Sequence, residues 1–199
     1  MVDDLAEQAL LEDILEQSKP ALPDEARGLH HLLATPFRYP PPVRGSRFRT
    51  AADPGVFYGA REQRTVCAEL GYWHWRFLND SLGLTHIGPV AQTVVRANVE
   101  APAVDLRQKP FSRDARDWTH AESHEATQAF ARTAREARVG LILYGSVRDP
   151  ERGECGVLLT PRGFAPPRRP LVEQTRFLTV TESASAWQRE GERYEFSWR

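Results

Sequence analysis

Cysteine and lysine are nearly missing from this chain of 199 residues. Cysteine occurs only as Cys67 and Cys155. Two are too few for a disulfide framework or a four-thiolate zinc site, so both read as reduced structural thiols. Lysine occurs only at Lys19 and Lys109, and arginine carries most of the positive charge; the skew reflects GC-rich coding more than any activity. No apolar run approaches the roughly 20 residues that span a bilayer. Met1–Lys19 is acidic and lacks the basic start and apolar stretch of a signal peptide. The expectation is a cytoplasmic protein with no membrane contact. A formal net charge of -1 and the lack of a basic stripe argue against direct nucleic-acid binding. No G-x-G-x-x-G and no Walker loop is present, so a Rossmann or P-loop reading has no support.

What is present is a chain with 41% apolar residues, enough for a buried core. Residues 4–18 predict an amphipathic helix, with Leu10, Leu11, Ile14 and Leu15 on one side and acids between them. Pro20 and Pro23 end it, and Asp24 can cap a second helix over 25–33. The stretch 35–43 (TPFRYPPPV) reads as extended. Residues 1–40 thus form an expected N-terminal helical extension, and 41–199 a single globular domain beginning near Arg44. Strands are predicted over 46–49 and 56–60, around the Asp53-Pro54-Gly55 turn. A helix follows over 62–79, opened by Thr65 or an earlier polar residue, with Tyr72, Trp73, Trp75 and Phe77 read as core. Further strands are predicted over 90–100, 103–106, 141–147, 156–160, 175–181 and 193–198, and a helix over 123–138. The run at 141–147 (LILYGSV) is nearly all apolar and reads as a central strand. The class is α+β with a mixed or antiparallel sheet.

Several catalytic motifs begin and then fail. His120-Ala121-Glu122 has the start of a zinc deaminase, but the P-C-x-x-C pair is absent. His120 and His124 are spaced for a shared metal without an evident third ligand, and read as solvated histidines. Gly145-Ser146-Val147-Arg148 follows a strand as a nucleophile elbow does, yet lacks both flanking glycines of G-x-S-x-G. Cys67 lies in a helical pattern beside Ala68 and reads as core.

Four segments remain that set a polar residue beside apolar strand or helix positions. They are Gly45-Ser46-Arg47-Phe48-Arg49, Val56-Phe57-Tyr58-Gly59-Ala60, Thr65-Val66-Cys67-Ala68-Glu69 and Tyr144-Gly145-Ser146-Val147-Arg148. In order and spacing the stretch 45–162 resembles the RES family, named for an arginine, a glutamate and a serine. Arg47 matches the arginine, Tyr58 a tyrosine-bearing strand, Glu69 the glutamate and Ser146 the serine. Phe48 and Arg49 stand where many relatives carry tryptophan and asparagine.

The resemblance implies a fold similar to ADP-ribosyltransferases and an NAD+ cleft lined by Arg47, Tyr58, Glu69 and Ser146, with Glu69, Arg47 and Ser146 catalytic. It implies the toxin of a toxin–antitoxin pair that takes NAD+ as substrate, with no resident cofactor or metal. The chemistry suits these residue types. Loss of nicotinamide passes through an oxocarbenium-like ribosyl cation, which a carboxylate stabilises. A guanidinium pairs with phosphate, an aromatic ring stacks on nicotinamide, and a strand-end hydroxyl orients substrate. ADP-ribose would pass to phosphate or water; the alternatives are transfer to a protein side chain, or a non-catalytic nucleotide-binding module. The implied partner is a small antitoxin with an Xre-type helix-turn-helix. The sequence leaves homodimerisation open.

Overall fold

A computed structural model of the chain describes residues 4–41, 43 and 45–198; the expected domain start at Arg44 lies outside them. The strands are β1 (Phe57–Ala60), β2 (His86–Arg96), β3 (Ala103–Asp105), β4 (Leu141–Gly145), β5 (Glu154–Leu158), β6 (Val172–Thr181), β7 (Ser185–Arg189) and β8 (Glu192–Phe196). They form two sheets. The first runs β1-β5-β4-β3, antiparallel except for the parallel β3–β4 pair. The second runs β2-β6-β7-β8 and is antiparallel throughout. With the helices between and around them, the architecture is α+β, as expected.

β4 is an interior strand of the first sheet. Successive side chains on a strand point to opposite faces, and here both faces are covered. Ile142 and Tyr144 pack with Ala131 and Ala134 of helix α5 (Glu125–Glu136), while Leu141 faces Phe164, Leu33 and Phe37. That two-sided burial is why the segment is apolar at nearly every position. Cys67 and Cys155 are both buried and unpaired.

Helix α3 (Gln63–Asp80) joins the two sheets. Cys67 and Leu78 bury against Leu178, Val180, Trp187 and Phe196 of the second sheet. The approach is close enough that a Cβ at Gly71 would lie 2.4 Å from Ser185 Oγ. The neighbouring face of α3, carrying Thr65 and Glu69, turns toward the chain that leaves β4. Thr65 is therefore inside the helix, bonded to Asp149, and does not cap it. Trp73 and Phe77 are exposed, 52% and 61% respectively. They lie on the side of α3 that meets neither sheet; of the four aromatics, Tyr72 is buried and Trp75 half-buried.

Three other expectations are corrected. The second helix, α2, spans His31–Arg38 and runs through Pro36, after a short 3-10 turn at Asp24–Ala26. Leu33 and Phe37 are buried against Leu158 and Phe164. Burying two large apolar side chains contributes about 1.5–3 kcal/mol each, which offsets a helix proline's cost of about 3 kcal/mol. Residues 46–49 form a tight turn closed by a single Ser46–Arg49 bridge, not a strand. The strand β7 was not expected at all, since its Ser-Ala-Trp-Gln-Arg reads as polar, yet Ser185 and Trp187 are buried.

Helix α1 (Leu5–Ser18) is capped by Asp4, whose carboxylate accepts from the Ala6 and Glu7 N–H groups, and none of its residues is buried. Arg38 ties it to the body, donating to Glu16 at 2.7 Å and to the Pro20 carbonyl. Among the described residues, no helix is long and apolar enough to cross a membrane.

Candidate active site

The site forms where the end of β4, the middle of α3 and the 46–49 turn converge. Ser146 follows β4 directly. Its hydroxyl donates to Glu69 Oε1 at 2.5 Å, and the Val147 N–H reaches the same oxygen at 3.2 Å. In return Ser146 Oγ accepts from the N–H groups of Arg148 and Asp149, at 3.2 and 2.9 Å. One serine thus shapes its own turn and aims a carboxylate. Both bonds fall on Glu69 Oε1; among the described residues none falls on Oε2.

The turn is tied to α3 by Asp149. Its buried carboxylate accepts from Thr65 Oγ1 at 2.8 Å, from the Glu151 N–H, and from Arg64. Burial opposes the charge on Asp149, but these bonds outweigh it and hold the carboxyl below its ordinary range. Gly153 closes the loop, and a Cβ there would lie 2.1 Å from Thr65 Oγ1.

Arg47 lies in the 46–49 turn, which is gripped from two sides. Thr127, fully buried at the start of α5, donates to the Arg47 carbonyl, and Gln128 Nε2 donates to the Ser46 carbonyl at 2.9 Å. From β1, the Tyr58 hydroxyl accepts the Phe48 N–H at 2.9 Å and shares a hydrogen bond with Ser46 Oγ. Burial of that hydroxyl raises its pKa, while the residue as a whole is 38% exposed. Tyr58 therefore anchors the turn with its oxygen and still presents ring surface. Phe48 is core, 4.8 Å from the Tyr144 ring. Arg49 is buried and donates to the Tyr39 carbonyl at 3.0 Å, so it braces the turn from behind.

Of the four residues singled out from the sequence, Ser146 and Glu69 are bonded directly, Tyr58 holds the turn that carries Arg47, and Glu69, Tyr58 and Arg47 all act on one buried hydroxyl. The Tyr144 hydroxyl is pushed well up in pKa by burial, with the Cys155 thiol, Glu69 and Tyr58 adding to the shift and Arg47 opposing it. Cys155 is itself pushed up to about 12, chiefly by burial, and Cys67 likewise. Neither thiol is a nucleophile.

Three further residues belong to the site that motif reading passed over. Arg148 lies with its guanidinium 3.7 Å above the Tyr72 ring and donates to the Ala121 carbonyl at 2.6 Å. His124 is half-buried rather than solvated, which corrects the expectation from sequence; its Nε2 is buried without a hydrogen-bond partner. Burial, with the charges of Arg47, Arg148 and His120, lowers its pKa to about 4. Asp149 is the third. Arg148 and Asp149 were findable, since a serine followed by a polar run at a strand end is turn chemistry. His124 carries no such signal. No group of three or more metal-ligating side chains occurs among the described residues.

Residues 22–195 match the family model of the RES domain. No curated protein matches the chain. The match covers nearly all of the sequence and all four site segments, and this chain belongs to the RES domain family.

Proposed function

We propose that this chain is an enzyme that binds NAD+ as substrate and breaks its nicotinamide–ribose bond, the toxin of a toxin–antitoxin pair. The observation that carries the reading is the Glu69 carboxylate, pinned on Oε1 by Ser146 and the Val147 N–H, with Arg47 and Arg148 acting on the same site. Glycosidic cleavage needs a fixed negative charge beside the ribose as the cation develops. A carboxylate that already spends one oxygen on its support, and keeps the other, meets that need without reorganising. The ribose 2′-hydroxyl is the natural donor to Oε2.

In the step proposed, the C1′–N bond breaks and its electron pair stays on nitrogen, so the pyridinium leaves as neutral nicotinamide. Phosphate oxygen or water then bonds to C1′, and water gives up a proton. Arg47 would pair with the substrate's phosphates, and the exposed ring surface of Tyr58 would contact the nicotinamide. Transfer of ADP-ribose to a protein side chain uses the same site and differs only in the acceptor. The partner proposed is an antitoxin with an Xre-type helix-turn-helix that covers the cleft, and the exposed leucines of α1 offer it further contact. The test is expression of the chain alone in bacteria, with cellular NAD+ assayed. Growth should stop as NAD+ falls. Arrest with NAD+ unchanged would move the reading to modification of a protein target.

A further inference from the structure

Arg47 and Arg148 enter the site from different elements and meet the same strap of chain. The strap joins the short helix α4 (Ala115–Trp118) to α5. Arg47 Nη1 donates to the Trp118 and His120 carbonyls, both at 3.1 Å. Arg148 Nη2 donates to the Ala121 carbonyl. The strap is anchored at its start by Trp118, whose Nε1 donates to the Phe111 carbonyl at 2.7 Å and whose ring packs on Phe130.

Several arginines sit against carboxylates, as Arg64 on Asp149, Arg107 on Asp105 and Glu154, and Arg176 on Glu192. Among the described residues neither Arg47 nor Arg148 makes an ion pair. Each guanidinium instead meets neutral carbonyls; Tyr72 and Glu69 favour the charge on Arg148, and Arg47 opposes it. Arg148 is also costly to place there, since burial lowers its pKa. It is nevertheless held firmly. Its ring contact with Tyr72 is close, its N–H is bonded to Ser146 Oγ, and its carbonyl accepts from Trp198 Nε1 at 2.9 Å. Both arginines disfavour a charge on His124, whose Nε2 is buried and has no partner. Two preorganised forks on one strap, neither in a direct ion pair, are an arrangement that takes a bidentate anion with two charged centres.

We propose that Arg148 and Arg47 form a two-guanidinium clamp for a diphosphate, and that the Trp118–Ala121 carbonyls give up the guanidinium donors when the diphosphate binds. Anionic oxygens replace neutral ones in bonds that are roughly twice as strong. Arg148 is then a ligand-binding residue in its own right, and the strap is the element that moves. The NAD+ reading supplies the identity of the diphosphate; the clamp itself requires only the anion.

The test is calorimetric binding of ADP, AMP and adenosine to the full chain, with melting curves as control. Arg148→Gln should weaken ADP by about 30-fold, the scale of a lost hydrogen-bonded charge, AMP by much less, and adenosine not at all. Arg148→Lys should not restore ADP affinity, because the ammonium lacks the fork. Hydrogen exchange on the wild-type chain gives a readout that needs no variant: amides of residues 118–124 should change on saturation with ADP and not with adenosine. Unchanged ADP affinity in folded Arg148→Gln, equal losses for all three ligands, or a strap indifferent to ADP would each overturn the clamp. The enzyme reading fails separately. A wild-type chain that binds ADP through Arg148 but releases no nicotinamide from NAD+ would keep the clamp and lose the enzyme.

Discussion

Arg47 and Glu69 differ in when their charge matters. A diphosphate is charged before and during bond breaking, whereas the ribosyl cation exists only near the transition state. Arg47→Ala should therefore raise KM with a smaller effect on kcat. Glu69→Ala should lower kcat by about 10²-fold or more while NAD+ still binds. Steady-state nicotinamide release paired with calorimetry separates the two. Glu69→Ala with near-normal turnover and an intact melting curve would remove Glu69 from the chemistry. His124 makes a different prediction. It is held neutral in the folded chain, with a pKa of about 4 against 6.5 when unfolded. A depressed histidine binds more protons when unfolded, so acid favours unfolding. Its contribution is intact above pH about 6.5 and is lost as pH falls toward 4. The aspartates whose pKa values are lowered, Asp53, Asp105 and Asp149, act below that window. His124→Gln should flatten the fall in stability between pH 6.5 and 4, measured by urea unfolding across that range. At this scale Arg47, Tyr58, Glu69 and Ser146 were singled out by the resemblance of four short segments, in order and spacing, to the RES family; taken one at a time, none of the four stands out. His124 was not singled out, because its burial depends on α5 closing over the 46–49 turn, a contact between positions about eighty apart in sequence.

Among the elements, the two N-terminal helices have opposite relations to the body. α1 buries nothing, so replacing Ile14 with Ala should change stability by no more than about 0.5 kcal/mol. Phe37 of α2 is buried against Phe164, and Phe37→Ala should cost about 3–5 kcal/mol. Denaturant melts of the two variants side by side decide this; equal costs would contradict the packing described. Asp149 is the staple between α3 and the Ser146 turn. Asp149→Ala leaves the buried Thr65 hydroxyl without its acceptor and removes one of two ion pairs of Arg64, so it should cost about 3 kcal/mol and also lower kcat by letting Glu69 drift. Thr65→Val should show the same direction with a smaller effect. Elements with strong period, such as α3, α5 and β4, were readable from sequence. α2 was displaced because a local rule about proline was overridden by burial of Leu33 and Phe37. β7 was missed because Trp187 is buried only once α3 passes close over β7 at Gly71. Both depend on tertiary contacts that no window of sequence contains.

At the scale of the whole molecule, the two sheets and α3 make a frame that brings positions 47, 58, 69 and 146 to one place. The frame sets the order of the four short, individually weak motifs along the chain. Each sits on a different element, and the order follows from the chain path: turn, β1, α3, then the end of β4. The chain belongs to the RES domain family, and the function proposed for the site built around the Glu69–Ser146 pair is cleavage of the nicotinamide–ribose bond. The most direct measurement incubates the purified chain with NAD+, with and without inorganic phosphate, and identifies the products. The account predicts free nicotinamide in the presence of wild-type chain, with ADP-ribose or its phosphorylated form as the other product, and none with Glu69→Ala. NAD+ recovered intact from a folded wild-type chain would contradict it.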